Sequence, residues 1–311
     1  MPRTVSEARH LTRWLITCAW LACAGSAHAL NVFACEPEWA SLVKALAPQA
    51  QVVSATHQRQ DPHHIEARPS LIAALRRADL AVCTGAELEA GWLPVLQQRA
   101  GNPMVLDRAG GMFFASDHVA LIDARAPGGP FDGDVHAAGN PHFQVDPDRV
   151  LEVARGLAET LAQVDPTGAR AYHQRAQAFE RDWLAHVQRW RAQTSPLRGQ
   201  RVIAQHSSFA YLWRWLGMVQ SADLEPKPGL PPTPGHLNAV LKLAQRERPM
   251  AVVATRYQDA RSARWLAAQL GNETMAIALP TTVDDAQDPQ GLVRLFDDLF
   301  KQLLNANGGT R

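Results

Sequence analysis

Residues 146–193 read DPDRVLEVARGLAETLAQVDPTGARAYHQRAQAFERDWLAHVQRWRAQ. Two helix signatures follow one another in this stretch. Asp146-Pro147 opens the first. Its apolar positions Val150, Val153, Leu157 and Leu161 recur at spacings of three and four. Asp165-Pro166 breaks that helix and restarts it. The second carries Tyr172, Ala176, Phe179, Trp183, Val187 and Trp190 on one stripe and is predicted to run to about Gln193. At ~1.5 Å per residue it would be ~40 Å long, which suits a backbone helix joining two lobes better than a crossover inside one.

On both sides of this stretch short apolar runs alternate with helical patterns. Before it, Val52-Val53, Leu80 to Cys83 and Met104-Val105-Leu106 read as buried parallel strands. Between them, Glu38 to Leu46 and Ser70 to Ala78 read as helices, the latter started by Pro69-Ser70. After it, strands are expected at Val202–Ala204, Ala251–Ala254 and Met275–Leu279. Helices are expected at Ser207–Leu216, Arg261–Leu270 and Leu292–Leu304, the first two ended by Gly217 and Gly271. The expected fold class is α/β, with two lobes, each a parallel sheet flanked by helices, joined by one long backbone helix. The 311 residues are comfortable for two such lobes. The boundaries read as 30–145 for the first lobe, 146–194 for the linking helices and 195–311 for the second lobe.

The first 29 residues read differently. Arg3, Arg9 and Arg13 precede an apolar run from Trp14 to Gly25, and Ala27-His28-Ala29 supplies small residues at the cleavage positions. This is the pattern of a secretory signal peptide cut after Ala29, and the run is short for a permanent membrane helix. Losing three of the 31 basic residues and one of the 30 acidic ones moves the formal charge from +1 to −1. No basic field is left to favour nucleic acid or an anionic membrane. Cys35 and Cys83 remain, each at the end of a strand-like run. In neighbouring parallel strands their sulfurs would share an edge, and an oxidising compartment favours a disulfide over two buried thiols.

The histidines carry the functional signal. His63, in Asp61-Pro62-His63-His64, follows the strand at Val52-Val53. His142, in Asn140-Pro141-His142, precedes the middle helix. His206 follows the strand Val202–Ala204 directly, and Asp284 and Asp285 follow the strand ending at Leu279. Ligands of parallel α/β sheets bind beyond the carboxyl ends of the strands, so a cleft between lobes would gather all four positions. Three imidazoles and a carboxylate suit a zinc-like ion in tetrahedral geometry, and imidazole favours zinc over calcium or magnesium. The expected metal ligands are His63, His142, His206 and Asp284, with Asp285 or a water as alternatives for the fourth place. Two loops border these positions. Residues 115–145 contain His118, His136 and several aspartates, and residues 223–236 are rich in proline, from Glu225-Pro226 to Pro234-Gly235-His236.

Several separated motifs occur in one order: Asp61-Pro62-His63, Arg68-Pro69-Ser70, Ala78-Asp79-Leu80-Ala81-Val82, Thr84-Gly85-Ala86-Glu87-Leu88-Glu89, Asn140-Pro141-His142, the Asp165-Pro166 restart, and His206-Ser207-Ser208-Phe209-Ala210-Tyr211-Leu212 with Leu216-Gly217. In this the chain resembles the zinc- and manganese-binding solute receptors of ABC transporters, in their zinc branch, from about Asn31 to the last helix. The resemblance implies two rigid lobes and metal ligation by His63, His142 and His206. It implies a periplasmic carrier that binds Zn2+ as transported ligand, hands it to a permease subunit and catalyses nothing. It is compatible with a monomer and with a periplasmic metallochaperone as a further partner.

Two places depart from the family's pattern. The acid after the last strand falls in Leu279-Pro280-Thr281-Thr282-Val283-Asp284-Asp285 and not in an Asp-Pro-Leu-Gly-like segment. The segment before His142 is shorter and poorer in histidine than in zinc members, and reads as a loop that captures or releases metal or as plain surface. A manganese receptor or adhesin of the same fold is the alternative. A zinc hydrolase would need a general base near the metal, and Glu66 is the nearest in sequence.

Overall fold

The computed structural model describes residues 29–124, 134, 136–271 and 273–308. The predicted leader lies outside these residues except for Ala29. No described helix is long and apolar enough to cross a membrane.

The chain forms two four-stranded parallel sheets of identical topology. In the first lobe the strands are β1 (Asn31–Ala34), β2 (Gln51–Ser54), β3 (Leu80–Cys83) and β4 (Met112–Phe114), in the order β2-β1-β3-β4. In the second they are β5 (Arg201–Ala204), β6 (Val219–Asp223), β7 (Ala251–Thr255) and β8 (Met275–Leu279), in the order β6-β5-β7-β8. The central strands β3 and β7 are buried along their whole length, which is why both read as unbroken apolar runs. Each order reverses next to the first strand of its lobe. A crevice therefore opens there, beyond the carboxyl ends of the strands.

Among the described residues the helices are α1 (Pro37–Leu46), α2 (Pro69–Arg77), α3 (Leu93–Ala100), α4 (Pro147–Val164), α5 (Ala169–Gln193), α6 (Ala210–Leu216), α7 (Pro234–Glu247), α8 (Arg261–Leu270) and α9 (Gly291–Gly308). Proline occupies the first turn of α1, α2, α3, α4 and α7, where the missing N–H has no intrahelical partner to lose. Asp146 caps α4 by accepting from the Asp148 and Arg149 amides. Gly217 ends α6 with φ +68°, the left-handed conformation that glycine adopts without strain.

The linking helices hold the lobes together through large side chains. Trp183 and Trp190 of α5 are buried and lie 5.6 and 5.2 Å, ring centre to ring centre, from Phe296 of α9. The Trp183 indole N–H donates to Pro147 O and that of Trp190 to Asp297 Oδ1. One continuous apolar cluster runs from Val32 and Leu80 through Leu157 to Val202 and Val253, so the core crosses from lobe to lobe. Direct bonds add to it: Gln144 Nε2 to Thr281 O at 3.1 Å, Gln287 Nε2 to Val52 O at 3.1 Å, and Ser41 Oγ to Asp288 O at 2.6 Å.

Two sequence expectations are corrected and one is borne out. Met104-Val105-Leu106 is not a strand: Asn102 Oδ1 accepts from the Met104 amide, and Pro103–Val105 turns as a short 3-10 helix. The edge strand is Met112–Phe114 instead. The Pro-rich segment ends sooner than read, because Thr233 Oγ1 caps α7 and Pro234 starts it. The Cys35–Cys83 disulfide is present, joining the ends of the paired strands β1 and β3.

Candidate metal centre

His63, His142 and His206 come together in the cleft, each buried, with one ring nitrogen of each within 4.8 Å of the others. Every one is held by its own local device. His63 sits on the loop after β2. Asp61 Oδ1 accepts both its amide, at 3.0 Å, and its Nδ1–H, at 2.7 Å. The Trp92 indole fixes the preceding carbonyl of Pro62 at 2.9 Å. His142 follows Asn140, whose Oδ1 accepts the His142 amide at 2.9 Å. Asn140 also reaches the other lobe: its Nδ2 donates to Ser207 O at 3.0 Å, and its carbonyl accepts the Tyr211 hydroxyl at 2.7 Å.

His206 follows β5 with φ +70°, a left-handed backbone that costs a non-glycine residue ~1–3 kcal/mol unless its surroundings fix it. Asp223 Oδ1 accepts its amide at 3.0 Å. Its Nδ1 lies 2.9 Å from Glu225 Oε2, and both side chains are almost wholly buried. Carboxylates on Nδ1 of His63 and His206 keep that proton in place. The Nε2 lone pairs are thereby turned to the cleft, the arrangement metal-binding imidazoles use.

A fourth imidazole lies beside His63, outside the closest group of three. His136 Nε2 lies 3.3 Å from His63 Nε2, and the rings stack at 5.3 Å. The short stretch carrying His136 is tied to both lobes. The Ala137 amide donates to Glu87 Oε2 at 2.7 Å, and the Asp134 amide donates to Pro228 O at 3.0 Å. On the other side of the cluster His142 Nε2 is also 3.3 Å from His206 Nε2. A tetrahedral zinc with Zn–N bonds of ~2.0–2.1 Å has N···N edges of ~3.3–3.4 Å. The two histidine pairs therefore match two edges of such a tetrahedron.

The electrostatics suit a cation as well. Burial, then the neighbouring His63 and His206, hold His136 down to about 3. Burial and the same crowding hold His142 well below the ordinary histidine range. Both are neutral at physiological pH, with lone pairs free to bind. His206 goes the other way: burial opposes its charge, but the Glu225 hydrogen bond and charge, with Asp223 and Asp134, outweigh burial and raise it.

Asp284 is not among the side chains gathered here. Its carboxylate pairs with Arg256 at 3.2 Å and stands well exposed, because Arg256 at the end of β7 reaches it first. Asp285 turns back on the chain instead, accepting the Gln287 amide. Sequence reasoning missed the placement of His136 and Glu225 beside these histidines. Neither lies at a predicted strand end, and only their presence in the two flagged loops hinted at them.

The sequence profile of the family described as "ZnuA: Zinc-uptake complex component A periplasmic" matches residues 32–306. The chain belongs to this family. ZnuA-family members are metal-binding solute-binding proteins of the periplasm, and the two-lobed fold agrees. A ZnuA crystal structure superposes with a TM-score of 0.75 at 21% identity, covering 90% of this chain and 100% of that one. A zinc-bound ZnuA deletion mutant gives 0.72 at 21%, covering 91% and 99%. The solute-binding protein FpvC of Pseudomonas aeruginosa, in complex with Mn2+, gives 0.71 at 18%, covering 90% and 100%. At these identities the structures share a fold with this ZnuA-family chain. No curated protein matches it significantly.

Proposed function

We propose that this protein binds one zinc ion through Nε2 of His63, His142, His206 and His136 and delivers it to the permease subunit of an ABC-type importer. The observation that carries the reading is the pair of 3.3 Å contacts, His142 to His206 and His63 to His136, which match tetrahedral zinc edges. An all-imidazole set is borderline-soft and favours zinc over manganese, which prefers carboxylate and water oxygens. With His136 as its fourth donor the site would hold no position for an activated water, which favours a carrier over a hydrolase. Export through a cleaved leader, cut after Ala29, places the carrier in the periplasm.

Zinc and manganese titrations of the metal-stripped protein test this, with His206→Ala alongside. One tight zinc, weak manganese and a large loss in the variant are expected. Absence of stoichiometric zinc, or an unaffected variant, would remove the reading.

A further inference from the structure

Gly85, Ala86 and Glu87 follow β3 in three successive left-handed conformations, with φ of +79°, +47° and +68°. Glycine adopts this backbone freely. Alanine and glutamate do so at a cost, and such strain persists only where the surroundings enforce it. Here they do. The buried Glu89 carboxylate accepts the Thr84 amide through Oε1 at 2.6 Å and the Gly85 amide through Oε2 at 3.0 Å. The Leu88 amide closes the turn on Gly85 O at 3.1 Å, and the Ser116 amide, just beyond β4, ties down Thr84 O at 2.8 Å. Before the turn, Cys83 is bonded to Cys35, and Thr84 Oγ1 accepts the Trp39 indole N–H at 2.8 Å. The turn is a rigid ledge at the carboxyl edge of the first sheet.

The ledge holds one carboxylate out. Glu87 is exposed, and its Oε2 accepts the Ala137 amide at 2.7 Å. Ala137 follows His136, whose Nε2 lies 3.3 Å from that of His63. The amide next to His136 is a short lever, since its place limits where the imidazole can stand. The other end of this stretch is held from the second lobe, by the Asp134 amide on Pro228 O at 3.0 Å. Gly229 packs closely there, and a Cβ on it would lie 2.4 Å from Asp134 Oδ2. Glu87 supplies the hold from the lobe that carries His63.

We infer that Glu87 is a positioning residue for His136: the strained turn presents its carboxylate to the Ala137 amide, and that bond seats the His136 ring against His63. Glu87 donates nothing to the metal itself. The inference rests on the four-histidine zinc reading and adds to it the residue that decides whether the fourth imidazole is in place. One hydrogen bond of ordinary net strength corresponds to a change of about two- to tenfold in affinity.

The test is zinc affinity by chelator competition, with thermal melts alongside, on the parent, Glu87→Ala, Glu87→Gln, His136→Ala and the variant combining Glu87→Ala with His136→Ala. Glu87→Ala should weaken zinc by about two- to tenfold, and by no more than His136→Ala does. Glu87→Gln keeps an oxygen acceptor and should stay within about twofold of the parent. In the His136→Ala background, Glu87→Ala should change nothing further. With Co2+ in place of zinc, the visible absorption of Glu87→Ala should move towards that of His136→Ala, as water takes the position the imidazole leaves; a contact that only stabilises the fold would not move it. Parent-like zinc binding by Glu87→Ala, an equal loss in both backgrounds, or weaker binding with an unmoved Co2+ spectrum would overturn the inference alone. A parent without stoichiometric zinc, or a His206→Ala variant that binds like it, would sink the zinc reading and this inference with it.

Discussion

Replacing Glu225 by Gln keeps the shape of the group on His206 Nδ1 and removes its charge. The bond is 2.9 Å long, between side chains almost wholly buried, so solvent cannot replace the carboxylate. Carboxylates of this kind raise the donor strength of a metal-bound imidazole and fix its orientation. Their loss typically costs 10–100-fold in metal affinity, or ~1.4–2.7 kcal/mol. The variant should show a loss of that size at about pH 7.5. The pH profile should change in the opposite sense. In the parent, Glu225 is the strongest influence raising His206 against the effect of burial. A proton therefore competes for Nε2 from above the ordinary histidine range, and zinc affinity falls as pH drops through it. Without Glu225 the strongest raising influence is gone and His206 moves down, so that competition begins at lower pH and the two affinities converge as pH falls. Competition with a fluorescent zinc chelator across this range measures both effects. Unchanged affinity at pH 7.5, or parallel profiles in the two proteins, would refute the role given to Glu225.

His136→Ala leaves three imidazoles and an open position that water can take, so zinc binding should weaken by roughly tenfold and not vanish; chelator competition would show this, and an unaltered affinity would remove His136 from the centre. Asp284→Ala should leave zinc affinity unchanged, because its carboxylate is engaged with Arg256; a loss comparable to that of a histidine variant would restore it as a ligand. Burial pushes Glu38 up to about 7 against the pull of its Thr282 hydrogen bond. A group raised in the folded state stabilises fully below its unfolded value, near 4.5, and that contribution is lost as pH rises through about 7. At ~1.4 kcal/mol per pKa unit the loss approaches about 3 kcal/mol. Glu38→Gln should therefore flatten the pH dependence of the melting temperature between about pH 4.5 and 8, and an identical slope in the variant would contradict this.

Sequence alone revealed the elements whose environment is uniform. Leu80–Cys83 and Ala251–Thr255 are buried throughout, so burial writes an unbroken apolar run. The Trp183 and Trp190 stripe writes the 3.6-residue period of α5 in the same way. Edge elements leave no such trace. β6 reads Val-Gln-Ser-Ala-Asp, is partly exposed, and changes register against β5 between Val202 and Ile203. β4 has only three residues. Met104-Val105-Leu106 has the composition of a strand, but Asn102 and Pro103 impose a turn that outweighs it.

The site divides along the same line. His63 and His206 follow strands, and His142 precedes a capped helix, so topology alone gathers them. His136 reaches them through the bonds of Ala137 to Glu87 and of Asp134 to Pro228, contacts between segments remote in sequence that no local pattern encodes. Asp284 satisfied the positional rule, but that rule takes no account of competing partners. Arg256, at the end of the neighbouring strand β7, already holds it.

X-ray absorption at the zinc edge of the zinc-loaded protein tests the central claim most directly, since it counts and types the donors without altering them. The account predicts four nitrogen donors at ~2.0–2.1 Å, with the multiple-scattering signature of imidazole. A shell of five or six donors dominated by oxygen, or one containing sulfur, would contradict it.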